Sequence, residues 1–168
     1  MTLGKNVHHA SEKSSDVWLT PPDLIKLLGP FDLDPCTPPV MPWSTAKKMV
    51  SLPTDGLTIP WRGLVFCNPP YSRVGPWVDR MVEHDNGIML VSAKSPDSNW
   101  GNKLLREADL VLYLKKRIKF YYLDGTQSKG KILPNALAAF GRVAVERLKR
   151  LKNTSYHGVY MQQIGDDE

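Results

Sequence analysis

The middle of the chain alternates apolar, strand-like runs with amphipathic, helix-like segments, and this alternation is the strongest constraint on its fold. Gly63–Cys67, Ile88–Ala93 and Asp109–Leu114 are short and apolar, as strands buried on both faces of a sheet are. Segments that begin near Pro76 and near Ser98 place apolar residues at helical spacing between these runs. The order strand, helix, strand, helix, strand therefore predicts an α/β fold with a doubly wound, mostly parallel sheet.

The segment before this core predicts a helix, a strand and a second short helix. Thr20 followed by Pro21 is typical of an N-cap with proline at the first helical position, and Gly29 is expected to end that helix. A short strand is expected to end at Asp34, because the next residue is a proline that interrupts the ladder. Residues 44–50 predict a short helix.

The last third of the chain carries weaker patterns. Residues 123–131 are rich in Gly, Ser and Lys and predict a mobile loop. We expect a strand over residues 136–140, a basic helix over 142–151 and an edge strand over 158–164.

Length and composition predict one domain with a flexible tail. The chain has 168 residues, and 42% of them are hydrophobic, which suits a single globular domain. Residues 1–15 are polar and lack the apolar core of a signal peptide, so we expect a flexible N-terminal tail before a domain spanning residues 16–168. No apolar run approaches the roughly 18 to 20 residues that cross a bilayer, and a cytoplasmic location is therefore expected.

The charge of the chain favours a polyanionic partner, and the spacing of its cysteines and histidines disfavours a metal site. The formal net charge is +5 and the isoelectric point is about 9.2, which favours a polyanionic partner. The two cysteines, Cys36 and Cys67, form no CxxC pair, and none of the four histidines has a partner at ligand spacing. We therefore expect no metal site and two reduced thiols.

The segment Asn68-Pro69-Pro70-Tyr71 follows a predicted buried strand and precedes a predicted helix. Each proline has a fixed φ and pushes the residue before it towards an extended conformation. Neither proline offers an N–H group, so the turn presents acceptors: the Asn68 side-chain oxygen and the Pro69 carbonyl. Proline pairs also form turns without any chemistry. The position at the carboxyl end of a strand, where α/β sheets bind ligands, favours a functional site.

Two neighbouring acceptors beside an aromatic ring suit the exocyclic amine of adenine. The lone pair of this amine is delocalised into the ring, and two hydrogen bonds from its N–H groups favour a tetrahedral nitrogen that frees the lone pair. Such an arrangement stabilises charge that develops during methyl transfer. Tyr71 would stack on the base and orient it.

The chain resembles the phage-type DNA N-6-adenine methyltransferases, the Dam family of phages and prophages, over about residues 16–141. The resemblance rests on five motifs in one order. These are Trp18-Leu19-Thr20-Pro21-Pro22, Phe31-Asp32-Leu33-Asp34-Pro35-Cys36, Asp55-Gly56-Leu57 with Trp61, Asn68-Pro69-Pro70-Tyr71 with Trp77, and Arg117-Ile118-Lys119-Phe120.

The resemblance implies a single Rossmann-like methyltransferase domain that uses S-adenosylmethionine and acts on double-stranded DNA. It implies that Thr20 and Pro21 lie over the methionine end of the cofactor. Asp34 and Pro35 would then end the first cofactor-binding strand, and Asp55 would receive the cofactor's adenine amino group. It also implies catalysis by Asn68, Pro69, Pro70 and Tyr71, in a protein of phage or prophage origin inside a bacterial cell.

The cofactor region departs from the wider methyltransferase pattern. Prolines 38 and 39 stand where a Gly-x-Gly would follow Asp34. The interval from Asp34 to Asp55 is expected to be too short for a full extra strand with its own ribose-binding acid.

Two basic segments are candidates for contacts with DNA phosphates. Adenine inside a duplex must be flipped out to reach a buried turn, and phosphate contacts offset part of the unstacking cost. The first candidates are Lys115, Lys116, Arg117 and Lys119, and a loop over residues 125–131 is a further one. The second cluster comprises Arg142, Arg147, Lys149, Arg150 and Lys152, for which a solvated helix face is an equal alternative.

Two other functions remain open at this point. The same turn serves methyl transfer to other planar amines, such as glutamine in proteins or guanine in RNA. The other alternative is a non-catalytic DNA-binding protein on a methyltransferase scaffold, because the cofactor region lacks the Gly-x-Gly and has only a short interval between Asp34 and Asp55. The sequence does not indicate a recognition site or an oligomeric state.

Overall fold

The computed structural model describes residues 17–129 and 133–163, so the predicted tail at residues 1–15 lies outside the described residues. The helices are α1 (Pro22–Leu28), α2 (Gly75–His84), α3 (Asn99–Glu107) and α4 (Arg142–Lys149), which a 3-10 turn (Arg150–Asn153) extends. The strands are β1 (Leu33–Asp34), β2 (Lys48–Met49), β3 (Val65–Cys67), β4 (Gly87–Ser92), β5 (Leu110–Leu114), β6 (Asn135–Phe140) and β7 (Gly158–Met161).

The seven strands form one mixed sheet in the order β2-β1-β3-β4-β6-β5-β7. Strands β1 to β4 pair in parallel, whereas β6 pairs antiparallel with both β4 and β5, and β7 pairs antiparallel with β5. The prediction of a mostly parallel sheet is therefore wrong for the half of the sheet that contains β5, β6 and β7. No helix is described between β5 and β6, and a strand that returns without a crossover helix pairs antiparallel.

Helices cover both faces of the sheet and bury two apolar layers. One layer joins α1 and α4 to the sheet through residues such as Leu24, Phe66 and Leu148. The other joins α2 and α3 through residues such as Val78 and Leu104. Strand β3 is buried on both faces, as its continuous apolar sequence predicts.

The segment predicted as a short helix at residues 44–50 instead contains strand β2. Its backbone follows β1: the N–H groups of Lys48 and Val50 donate to the carbonyls of Asp32 and Asp34 at 3.0 and 2.9 Å. The interval from Asp34 to Asp55, expected to be too short for a full extra strand with its own ribose-binding acid, contains this strand of two residues. A strand of two residues needs no long crossover, and pairing with β1 overrides the weak local preference for a helix.

The first helix begins one residue later than predicted. Pro21 occupies the N-cap of α1 in an extended conformation, without a side-chain capping bond, and Gly29 ends the helix as expected. Thr20 is therefore not the cap, and its hydroxyl group is available for a different contact in the site described below. Helix α3 begins near Ser98 as predicted, and Ser98 caps it, because its side chain accepts from the Gly101 N–H.

Strands β1 and β3 are neighbours in the sheet, with Leu33 opposite Val65. Both strands run in the same direction, so their carboxyl ends meet at one edge of the sheet. Asp34 and Asn68 therefore emerge side by side, as expected for a ligand site in an α/β sheet. None of the described helices is long and apolar enough to span a bilayer.

Candidate active site

A pocket of about 280 Å³ opens at the carboxyl edge of β1 and β3. This volume is near the lower end of the range for small-molecule sites, roughly 300–1,000 Å³. Six of the predicted catalytic and cofactor-binding residues line it together: Thr20, Asp34, Pro35, Asp55, Asn68 and Pro70. These residues come from four separate segments of the chain, which only the fold brings together.

The side chain of Asn68 is held in one orientation by the segment before α1. Its Nδ2 atom donates to the Trp18 carbonyl oxygen at 3.0 Å and to the Thr20 hydroxyl at 3.1 Å. A carbonyl oxygen can only accept a hydrogen bond, so the nitrogen must face Trp18 and the Oδ1 atom must face away from it. Within residues 17–129 and 133–163, no group donates to Oδ1, which leaves this acceptor for a ligand.

The rest of the motif forms a tight turn. The Arg73 N–H donates to the Pro70 carbonyl at 3.0 Å, and Pro69 is buried. Neither Pro69 nor Tyr71 lines the pocket, although both are sequence-predicted site residues. The Tyr71 hydroxyl accepts a hydrogen bond from Asn135 Nδ2 at 2.9 Å. Burial raises the pKa of Tyr71 well above its usual value, so the phenol is neutral at ordinary pH and offers an aromatic surface, not a base.

Asp34 is a buried carboxylate in the wall of the pocket, with 3% of its surface exposed. It accepts hydrogen bonds from the Thr45 hydroxyl at 2.5 Å and from the Cys36 N–H at 3.0 Å. Burial raises its pKa from 3.8 to about 6, against the opposing effect of these hydrogen bonds. A carboxylate at this position would be stabilised by a cationic ligand, which would restore part of the lost solvation.

The Asp55-Gly56-Leu57 turn packs directly against the end of β1. Asp55 Oδ1 accepts from the Leu57 N–H at 2.9 Å, and the Gly56 carbonyl accepts from the Trp61 indole at 2.8 Å. A Cβ atom on Gly56 would lie 1.8 Å from the Pro35 carbonyl oxygen, a distance at which atoms overlap. Only glycine therefore allows this turn, with its exposed Asp55 carboxylate, to approach the pocket.

The segment that holds Asn68 is itself anchored by aromatic residues. Leu19 pairs with Tyr121 in an isolated antiparallel bridge, and the Trp43 indole donates to the Thr20 carbonyl at 3.0 Å. Thr20 therefore lies in the pocket wall. Pro21, by contrast, is buried at the start of α1 and does not line the pocket.

The two basic clusters have different surroundings. Lys115, Lys116, Arg117 and Lys119 are exposed and lie outside the pocket wall, and the intervening Ile118 is buried. In the second cluster, Arg147 donates to the carbonyls of Leu28 and Pro30, and Arg150 to that of Gly29. These two arginines satisfy carbonyl groups at the end of α1, so their role is structural.

Several residues of the site carry no strong signal in the sequence. Arg73 lines the pocket, and its position two residues after the motif is the only pointer to it. Thr45 and Asn135 contact Asp34 and Tyr71 from distant segments and match no motif. The described residues include no group of three or more His, Cys, Asp or Glu side chains that could hold a metal ion.

Replacing Gly56 by alanine tests the packing of this turn. We expect Gly56→Ala to lower the free energy of unfolding by about 1–3 kcal/mol, because the Pro35 backbone or the turn must move. Urea denaturation measures the change. Gly75→Ala is the matched control, since a Cβ there lies 4.0 Å from its nearest neighbour. Equal stability of both variants would contradict the packing described here.

The raised pKa of Asp34 predicts a pH-dependent stability. Between pH 3.8 and about 6 the carboxyl is protonated in the folded state and ionised in the unfolded state, so the free energy of unfolding falls as pH rises through this window. Relative to Asp34→Asn, we expect the ligand-free protein to lose about 2 kcal/mol between pH 4 and pH 7. Urea denaturation of both proteins at the two pH values measures this. A pH-independent difference between them would refute the assignment.

Comparison with known proteins identifies a family for this chain. No curated protein and no solved structure matches the chain. The model of one protein family, described as DNA N-6-adenine-methyltransferase (Dam), matches residues 8–146. The match spans most of the chain, from before the Trp18 segment to within α4, and includes all the pocket residues named above. The chain therefore belongs to the Dam family of DNA N-6-adenine methyltransferases.

Proposed function

We propose that this chain transfers a methyl group from S-adenosylmethionine to the N6 amine of a flipped adenine in double-stranded DNA. Membership of the Dam family implies DNA adenine methylation, and the geometry around Asn68 supports a specific role for the turn. The observation that carries the proposal is the orientation of the Asn68 amide. The amide nitrogen donates to Trp18 and Thr20, and Asn68 lies in the wall of a pocket that also contains the buried Asp34 carboxylate.

The strand directions are compatible with a variant of the Rossmann-like methyltransferase sheet. Because β6 is antiparallel to both β4 and β5, strands β1 to β5 all run in the same direction. In this view β6 is an antiparallel strand inserted between two members of a parallel set, and it leaves the carboxyl edge of β1 and β3 open for ligands.

The pocket residues fit the charges of S-adenosylmethionine, whose role is to supply a methyl group on a positively charged sulfur. Asp34 would offset positive charge on the cofactor, and the buried site strengthens this attraction relative to water. Asp55 would accept from the adenine amino group at the other end, where Gly56 allows a close approach. Thr20 and Pro35, which line the pocket, would shape the methionine end, whereas Pro21 lies outside the pocket wall.

Asn68 and Pro69 would activate the target amine by accepting a hydrogen bond from each of its two N–H groups. Asn68 Oδ1 and the Pro69 carbonyl favour a tetrahedral nitrogen, whose lone pair forms the new N–C bond as the C–S bond breaks. The nitrogen loses its proton after the transfer, so no general base is required beforehand. The neutral ring of Tyr71 would stack on the base, while Pro70 keeps the turn rigid.

DNA would reach the site with its target base flipped out of the helix. Unstacking costs a few kcal/mol, which contacts between cations and phosphates offset. We propose Lys115, Lys116, Arg117 and Lys119 for these contacts, because all four are exposed and no described acidic side chain pairs with them. Residues 130 and 131 of the predicted DNA-contacting loop (125–131) lie outside the described residues.

Methylation of DNA with labelled S-adenosylmethionine, followed by digestion to nucleosides, tests the proposal. We expect label in N6-methyladenine, and we expect Asn68→Ala to lower kcat by about 100-fold or more, as removal of a preorganised hydrogen-bonding group does. Asn86→Ala is the control: this amide donates to the Gly63 carbonyl, at the opposite edge of the sheet.

Each other outcome identifies a different function. Label confined to a protein or RNA substrate would indicate methylation of another planar amine. DNA retention without any binding of S-adenosylmethionine in calorimetry would indicate a non-catalytic DNA-binding protein. Full activity of Asn68→Ala would refute the role of the turn while leaving the reaction intact.

Salt dependence tests the DNA-contacting cations. Each phosphate contact adds about 0.9 to the slope of log affinity against log salt concentration. We expect the double variant Arg117→Ala, Lys119→Ala to reduce this slope by about two, with little change in S-adenosylmethionine binding. Lys149→Ala is the control, because Lys149 pairs with Glu146 on α4. An unchanged slope in the double variant would exclude these two residues from the interface.

A further inference from the structure

Asn135 is a buried polar residue at the start of an otherwise apolar strand. It is 1% exposed, and the five residues that follow it in β6 are all buried and apolar. Its Nδ2 atom donates to the Tyr71 hydroxyl at 2.9 Å and lies 3.5 Å from the Val91 carbonyl oxygen. Because a carbonyl only accepts, the nitrogen must face Val91 and Tyr71.

This orientation leaves the other end of the amide without a partner. Among the described residues, Asn135 Oδ1 is the only buried side-chain nitrogen or oxygen atom that makes no hydrogen bond. An unsatisfied buried acceptor destabilises a folded protein, so an apolar residue of similar size would suit the fold better at this position. The stability of β6 therefore does not explain the asparagine, and its contact with Tyr71 remains as the reason for it.

The contact joins the inserted strand to the catalytic turn. Asn135 lies opposite Ser92, the last residue of β4, and β4 pairs with β3, which leads into Asn68. The ring of Tyr71 is thus held from two directions. The rigid turn of Pro69 and Pro70 fixes its backbone, and the Asn135 amide fixes its hydroxyl group. Because the hydroxyl oxygen accepts from Asn135, its own proton points away from that amide.

We propose that Asn135 is a positioning residue that clamps Tyr71 in the orientation needed to stack on the flipped base. The proposal rests on the proposed adenine methylation and adds a residue to it that no sequence motif includes. It predicts that Asn135 has opposite effects on activity and stability. Its hydrogen bond to Tyr71 raises kcat, whereas its unpaired Oδ1 atom lowers the free energy of unfolding.

The variant Asn135→Leu separates these two effects. We expect its melting temperature to equal or exceed that of the wild type, since it removes an unsatisfied acceptor, while kcat for DNA methylation falls about tenfold. The Kd for S-adenosylmethionine should stay unchanged, because Asn135 does not line the cofactor pocket. Asn86→Leu is the matched control for the loss of an asparagine amide, and its kcat should remain that of the wild type.

A double-mutant cycle tests whether Asn135 acts through Tyr71. We expect Tyr71→Phe to lower kcat by about the same factor, and Asn135→Leu to cause no further loss in the Tyr71→Phe background. Independent, additive losses would overturn the clamp. Tyr71→Phe also supplies the decisive measurement if Asn135→Leu fails to fold, because unchanged kcat in Tyr71→Phe would overturn the proposal by itself.

Fluorine NMR of protein labelled with 3-fluorotyrosine provides a readout without DNA. Tyr71→Phe assigns the Tyr71 signal, and we expect this signal to shift and narrow in Asn135→Leu but not in Asn86→Leu. An unchanged signal would overturn the clamp whether or not the protein methylates DNA. A changed signal together with no methylation by the wild type would overturn the proposed function and leave the clamp in place.

Discussion

The hydrogen bonds from the Asn68 amide to the Trp18 carbonyl and the Thr20 hydroxyl are the contacts on which the site depends. They join residues about 50 positions apart and connect the turn after β3 to the segment before α1. They also decide which end of the amide faces a ligand. With the nitrogen occupied, the oxygen remains as an acceptor, and an acceptor is what an adenine amine requires.

The electrostatics of the site follow from where its charges are buried. Asp34 lies in the pocket wall, and burial raises its pKa to about 6, so a cationic ligand would relieve a cost that the folded protein carries. Lys115, Lys116, Arg117 and Lys119 remain exposed. Under the proposed function, the buried anion would face the cofactor and the exposed cations would face DNA, so that one small domain would bind two ligands of different charge.

Local sequence patterns predicted the parts of the fold that depend on local physics. The apolar run before Asn68 indicated a strand buried on both faces, and Ser98 indicated a helix start, because burial and capping act over a few residues. Strand β2 and the antiparallel insertion of β6 were not predicted. A two-residue strand has no periodicity to detect, and the direction of β6 depends on which strands lie beside it, not on its own residues.

The sequence by itself determined the chemistry: the acceptors and stiff prolines of Asn68-Pro69-Pro70, the aromatic ring that follows, and the acidic residues at positions 34 and 55. The tertiary structure decided how these groups act, because their partners lie far away in the chain. Thr45 holds Asp34, Trp18 orients Asn68, and Asn135 holds Tyr71. No local pattern encodes such contacts, since each is formed only when the sheet brings separate segments within hydrogen-bonding distance.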